Sequence, residues 1–143
     1  MGDKQPYWVV RDRTRFLLAV MEQLAGNAYI SFEGDLRNTR LNKMSEASEE
    51  ETSILKRNTT WPKQDFVVLP LVPAMSKPLL SALGGALPNS IIHIQIEKDN
   101  VLEFGAYDNF YPECLFFGKG LSKDFLDSLV SQGIMKPEAT RRH

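Results

Sequence analysis

The sequence is poor in the residues that most catalytic and metal centres require. Its 143 residues include one cysteine and two histidines. A single cysteine, Cys114, cannot form an internal disulfide, so we expect a protein of the reducing cytoplasm. Two histidines and one cysteine cannot supply three protein ligands to a zinc ion without recruiting carboxylates. We therefore expect no metal and no cofactor.

Long apolar runs, repeats and an excess of one charge are also missing. The run at residues 16–21 is too short to cross a bilayer, and the N-terminus lacks the basic-then-apolar order of a secretory signal, so we expect no membrane partner. Seventeen basic against 18 acidic residues give a formal net charge of −1, which removes the electrostatic argument for nucleic-acid binding. The length and composition predict one α+β domain over residues 1–143.

Alternation of apolar and polar residues on both sides of a turn predicts a β-hairpin at residues 91–107. The apolar pattern favours a three-residue loop, Lys98-Asp99-Asn100, because a two-residue loop would place Ile96 opposite Glu103 and mix the two faces of the hairpin. The three-residue loop instead sets Ile96 against Leu102, and it requires a left-handed conformation at Asn100.

The remaining segments predict helices and strands that build one sheet. Residues 37–47 are polar and aperiodic, which indicates a mobile loop, and Pro137 begins a tail, residues 137–143, that we expect to be frayed. Residues 7–10 either dock as a short strand or lead into the first helix. Apolar residues at helical spacing predict a helix over residues 13–24, and a capping box predicts another from Ser48 to near Arg57. Two more are predicted from N-caps at Ser76 and Ser122, and these end at Gly84 and Gly133, while strands are predicted at 28–32, 66–71 and 113–117.

This pattern predicts an α+β fold with a single antiparallel or mixed sheet of about five strands and helices packed mainly on one face. Pro70 cannot donate a hydrogen bond to a neighbouring strand, so it places the end of its strand at a sheet edge.

An enzyme is the weaker hypothesis for this sequence. Cys114 is the one nucleophile candidate, with His93 as base and Asp108 as orienter, but no helix N-terminus follows the cysteine to lower its pKa. Carboxylate pairs, such as Glu33 with Asp35, need a pocket that the sequence does not reveal.

The polar face of the predicted sheet is the candidate binding site, because helices on one face would leave the other face exposed. We expect an acidic surface carrying aromatic side chains, and Gly105, placed opposite His93, would leave room for a partner's side chain. The candidate residues are Tyr29, Glu33, His93, Gln95, Glu97, Glu103, Tyr107 and Asp108.

Two stretches, ISFEGDL at residues 30–36 and HIQIEKDNVLEFGAYDNFYPECLFFG from residue 93, resemble small uncharacterised bacterial α+β proteins of the toxin-immunity type. The resemblance implies a cytoplasmic inhibitor that covers a basic toxin through an acidic surface. It implies no catalytic residues.

Our first hypothesis is a non-enzymatic cytoplasmic protein-binding function of this immunity-like kind. One alternative is a small-molecule-binding protein or hydrolase with a pocket between the sheet and the 37–45 loop, and another is a homodimer formed through a sheet edge. A pocket that contains His93 or Cys114 would favour the enzyme.

Overall fold

The computed structural model describes residues 7–138, which form seven strands, three α-helices and two short 3₁₀ helices. In chain order these are β1 (Tyr7–Val10), α1 (Arg13–Leu24), β2 (Ala28–Gly34), a 3₁₀ helix (Leu41–Lys43), β3 (Asp65–Leu71), α2 (Ser76–Leu83), β4 (Ile91–Lys98), β5 (Val101–Ala106), a second 3₁₀ helix (Pro112–Cys114), β6 (Leu115–Phe117), α3 (Lys123–Ser131) and β7 (Met135–Glu138).

The main sheet has five antiparallel strands in the order β3-β2-β4-β5-β6, which confirms the predicted α+β fold. A second sheet, which we did not predict, pairs β1 with β7. The edge position of β3 agrees with the expectation drawn from Pro70, whose missing N–H is least costly at an edge.

Local signals define the first and last helices. Asp12 caps α1 by accepting the N–H of Arg15 at 3.0 Å, and the predicted apolar stripe of α1 is buried. Ser122 caps α3 by accepting the N–H of Phe125 at 3.2 Å, and Gly133 ends that helix with a left-handed φ of 76°. Both helices therefore agree with their predicted bounds and ends.

The main hydrophobic core lies between one face of the sheet and the three helices. Alternate residues of the sheet strands point into it, and α1 contributes Phe16, whose ring meets the rings of Phe104 and Phe110 edge-on at 5.8 Å and 6.0 Å. Side chains of all three helices are buried in this core, for example Leu17, Leu79 and Leu126. The helices therefore cover one face, as predicted.

The opposite face of the sheet is also covered, which contradicts the expected exposure. A segment without helix or strand, residues 49–64, crosses this face, and we call it the strap. Its Leu55 is fully buried in a second hydrophobic cluster with Phe66 and Val68 of β3. The polar sheet face is thus buried beneath the strap, beside a second and smaller hydrophobic core.

The predicted helix from Ser48 to Arg57 is wrong. Ser48 forms an antiparallel bridge with Val68, and its hydroxyl accepts the N–H of Glu50 in a local turn. A serine that hydrogen-bonds its own backbone offers an alternative to helix formation. The serine that indicated a helix cap instead immediately precedes the strap.

The predicted hairpin loop is wrong as well. Lys98 pairs with Val101, so the loop has two residues, Asp99 and Asn100, and both have positive φ angles, 53° and 65°. Ile96 pairs with Phe104 rather than with Leu102, and the register shifts between Ile96 and Glu97, which leaves Glu103 as the extra residue of a β-bulge. The bulge keeps Phe104 in the core despite the shorter loop.

Several smaller expectations change too. Residues 37–47 contain the 3₁₀ helix Leu41–Lys43, and Leu41 is fully buried in the main core. Met75 rather than Ser76 is the N-cap of α2, and the last sheet strand begins at Leu115, after a 3₁₀ helix. Within the predicted frayed tail, residues 137 and 138 belong to β7, and residues 139–143 lie outside the described part.

The hairpin loop gives a first prediction. Asn100→Gly should leave stability unchanged or raise it slightly, because glycine adopts a left-handed φ without a Cβ penalty, whereas Asn100→Val should lower the free energy of unfolding by about 1 kcal/mol or more. Urea titration of both variants measures the difference. Asn38→Val, at an exposed asparagine without a positive φ, is the matched control, and an equal loss at both asparagines would contradict the loop assignment.

Candidate functional site

The buried polar residues of the sheet hold the strap in place. Five of them are less than 9% exposed and lie on neighbouring strands of the sheet face beneath the strap: Ser31, Glu33, His93, Gln95 and Glu97. Burial of unpaired polar groups is costly, so each needs a hydrogen-bonding partner. Among the described residues no buried side-chain nitrogen or oxygen lacks one.

Glu33 makes the most connected of these contacts. Its Oε1 accepts the backbone N–H of Asn58 at 2.8 Å, and its Oε2 accepts the N–H of Thr59 at 3.1 Å. Hydrogen bonds from backbone N–H groups to a carboxylate are stronger than those between neutral groups. A single side chain thus satisfies two consecutive backbone amides of the strap.

Gln95 and Glu97 bind the strap further along. The Nε2 of Gln95 donates to the carbonyl of Lys56 at 2.8 Å, while its Oε1 accepts the hydroxyl of Tyr107 at 3.2 Å. Glu97 accepts the hydroxyl of Thr52 at 2.8 Å. The strap is therefore attached to β2 and β4 at residues spread along its length.

His93 is engaged at both ring nitrogens. The backbone N–H of Asp108 donates to Nδ1 at 3.3 Å, and Nε2 lies 2.8 Å from the hydroxyl of Thr59. Because a backbone N–H can only donate, we assign the neutral tautomer with the proton on Nε2, which then donates to Thr59. In this tautomer Nε2 cannot accept a proton from Thr59, so the two side chains do not form a nucleophile and general base.

Cys114 is not an activated nucleophile either. Its Sγ lies 3.7 Å from Oδ2 of Asp108. Burial raises the pKa of the Cys114 thiol, and the neighbouring Asp108 carboxylate raises this pKa further. A protonated thiol is a weaker nucleophile than a thiolate. The predicted group of Cys114, His93 and Asp108 therefore lacks the activated nucleophile that a hydrolase site needs.

The other predicted site residues are dispersed. Tyr29 is 44% exposed. The carboxylate of Glu103 does not bind the strap, and its Oε1 accepts the N–H of Gly120 at 2.9 Å. Asp108 is exposed and begins a turn in which three consecutive residues have positive φ angles. The single acidic surface expected from Glu33, Glu97 and Glu103 therefore does not exist.

Gly105 does not leave room for a partner. It pairs with Gln95 rather than His93, and a Cβ at this position would come within 2.6 Å of the Tyr107 ring. Tyr107 occupies the space above the glycine, and burial raises the pKa of its hydroxyl. The glycine is explained by the close approach of this ring.

A concavity of about 680 Å³ lies elsewhere, between residues 36–43, the end of the strap and the edge of β3. This is the place where we expected a pocket beside the 37–45 loop. Neither His93 nor Cys114 lines it. We call it the basic cleft, because its charged lining consists of five cationic side chains, Arg37, Arg40, Lys43, Arg57 and Lys63, and two carboxylates, Glu49 and Asp65.

Hydrogen bonds organise the mouth of the basic cleft. Asp35 accepts Nε and Nη2 of Arg37 at 2.9 Å and 2.8 Å, and this pairing lowers the pKa of Asp35 to about 2 and raises the pKa of Arg37. Asp65 accepts the backbone N–H of Leu36 at 3.0 Å. The guanidinium of Arg57 donates to the carbonyl of Gln64 at 2.6 Å and lies 4.9 Å from the centre of the Phe66 ring.

The cationic residues of the cleft were missed at the sequence level because they come from two separate segments. One available signal was the spacing of Arg37, Arg40 and Lys43 within a polar stretch, which we interpreted as loop composition. Trp61 on the strap was also missed, and it is 85% exposed.

Comparison with known proteins identified no relative: no protein-family model, no curated protein and no solved structure matched the chain.

Two general features of the described residues complete the description. No helix within residues 7–138 has the length and apolar character needed to cross a bilayer. In the same range, no three histidine, cysteine, aspartate or glutamate side chains form a group that could hold a metal ion.

The attachment of the strap gives a second prediction. Glu33→Gln replaces one acceptor oxygen by a donor that faces a backbone N–H, so it should lower the free energy of unfolding by about 2 kcal/mol and speed proteolytic cleavage within residues 49–64. Urea titration and limited proteolysis measure the two effects. Glu50→Gln, an isosteric change at an exposed strap residue, should leave both unchanged, and equal behaviour of the variants would contradict the role of Glu33.

The mouth of the cleft gives a third prediction. Because the pKa of Asp35 is lowered from 3.8 to about 2, its contribution to stability is present above pH 3.8 and is lost as the pH falls towards 2. Asp35→Asn should therefore reduce the loss of stability on acidification through this range. Thermal unfolding at low ionic strength is the appropriate measurement, since salt screens exposed pairs. An unchanged pH profile in the variant would show that the pair contributes nothing.

Proposed function

We propose that the protein is a non-enzymatic binding protein and that the outer side of the strap is its contact surface, with Trp61 as the anchor. The observation that carries this proposal is the 85% exposure of Trp61. Tryptophan is buried on average, and exposed tryptophans are enriched among residues that dominate the energy of protein interfaces.

The attachment of the strap supports the proposal. An anchor on a fixed segment loses less conformational entropy on binding than one on a free loop. Residues on both sides of the strap's midpoint are held, Thr52 by Glu97 and Thr59 by Glu33. The side chains that could have supplied chemistry, His93 above all, are used in this attachment, which favours binding over catalysis.

The immunity-like version of this function requires a different acidic surface from the one we first expected. Glu33 and Glu97 are buried and cannot meet a basic toxin. Four other glutamates precede or begin the strap and are exposed: Glu46, Glu49, Glu50 and Glu51. Inhibition of a basic toxin in the cytoplasm would use these carboxylates to steer association.

A second candidate function is the binding of a small anionic molecule in the basic cleft, and the excess of cationic over acidic lining residues favours it. A hydrolytic reaction there is less favoured, because the lining includes neither histidine nor cysteine. A homodimer would use β6 at the sheet edge, where Phe116 is 43% exposed, but this strand has only three residues. Short edge strands are a common protection against edge pairing.

In-cell photo-crosslinking tests the proposed contact surface. A photoreactive phenylalanine analogue placed at position 61 should give a discrete adduct with one partner protein in the cells that naturally make this protein. The same analogue at Val101, which is 54% exposed on β5 and outside the strap, is the matched control and should not give that adduct. Absence of an adduct at position 61, or the same adducts from both positions, would refute the proposal.

A further inference from the structure

Two of the five cationic groups of the basic cleft are already oriented, and the other three form no ion pair with a described residue. Arg37 is held by Asp35, and Arg57 is held by the Gln64 carbonyl and the Phe66 ring. The side chains of Arg40, Lys43 and Lys63 are exposed and form no salt bridge within residues 7–138. Like charges gathered in one concavity repel one another, and an anionic ligand would relieve this repulsion.

From these charges we infer that the basic cleft is the docking site for an extended acidic segment of the partner protein. The inference rests on the proposed function, which it deepens by naming the chemistry of one part of the partner. Lys63, which lines the cleft, follows Trp61 closely in the sequence. A partner that binds the tryptophan therefore lies close to one wall of the cleft. Carboxylates spaced along a peptide can reach Arg40, Lys43 and Lys63 separately, since the three come from two segments.

The lining favours a peptide over a nucleic acid or a polyphosphate. Glu49 and Asp65 also line the cleft, and they would repel a ligand that carries a negative charge at every unit. The lining includes the side-chain amides of Asn38 and Asn42, which offer both donors and acceptors, as a peptide backbone requires. Phe66, the one aromatic residue of the lining, is 3% exposed, so the lining itself offers no ring for a base to stack on.

Fluorescence anisotropy with a labelled peptide of about ten residues, in which glutamate alternates with glycine, tests the inference on the full chain. The peptide should bind, and its affinity should fall as salt is added. The triple change Arg40→Glu, Lys43→Glu, Lys63→Glu should weaken binding by about tenfold or more. The matched control reverses the same number of charges at exposed residues outside the cleft, Arg15→Glu, Lys77→Glu, Lys119→Glu, and should keep at least half of the affinity.

If circular dichroism shows that the charge-reversed variant is unfolded, a neutral triple variant, Arg40→Gln, Lys43→Gln, Lys63→Gln, replaces it in the test. This neutral variant should weaken peptide binding several-fold. Failure of the wild-type chain to bind the peptide would overturn the inference, and so would equal losses in the cleft and control variants. A single-stranded oligonucleotide of equal charge should compete poorly, and competition equal to that of the peptide would also overturn the inference.

The crosslinking at position 61 separates this inference from the proposed function. A discrete adduct there combined with no peptide binding would overturn the acidic-segment inference and leave the proposed binding function in place. Peptide binding at the cleft without an adduct would overturn the proposed function and leave the cleft as a site for acidic peptides.

Discussion

The hydrogen bonds between the strap and the buried polar face of the sheet are the interaction on which the rest of the structure depends. A segment without helix or strand has backbone amides that need acceptors, and a sheet face with carboxylates needs donors. Glu33 meets both needs through the amides of Asn58 and Thr59. Each partner makes burial of the other tolerable, and the exposed Trp61 is presented at a defined place as a result.

Features that depend on a few neighbouring residues were predictable from the sequence. The stripe and capping residues of α1 and α3 lie within the helices or next to them, so their bounds agree with the prediction. The strands of the main sheet were located for the same reason. The second sheet joins the two ends of the described chain, and no local pattern relates β1 to β7.

The candidate site was predictable only in part, because the burial of its side chains depends on residues that are distant in the sequence. Alternation correctly grouped His93, Gln95 and Glu97 on one face, but it does not reveal whether an irregular segment covers that face. The β-bulge at Glu103 was hidden for a related reason: alternation places Leu102 on the same face as Phe104, whereas in the structure Leu102 pairs with Glu97 and packs against the second cluster. The basic cleft combines residues 37–43 with the end of the strap, which only the fold brings together.

The pairing of β1 with β7 gives this small protein an unusual order of assembly during synthesis. Tyr7 pairs with Glu138, so β1 leaves the ribosome before every other described strand and must wait for β7. The main sheet can form while β1 is still without a partner, and the entropy cost of bringing two such distant segments together is offset only when β7 pairs with β1. The same geometry sets residues 7 and 138 side by side, so that the two ends of the described chain lie together although they are synthesised far apart in time.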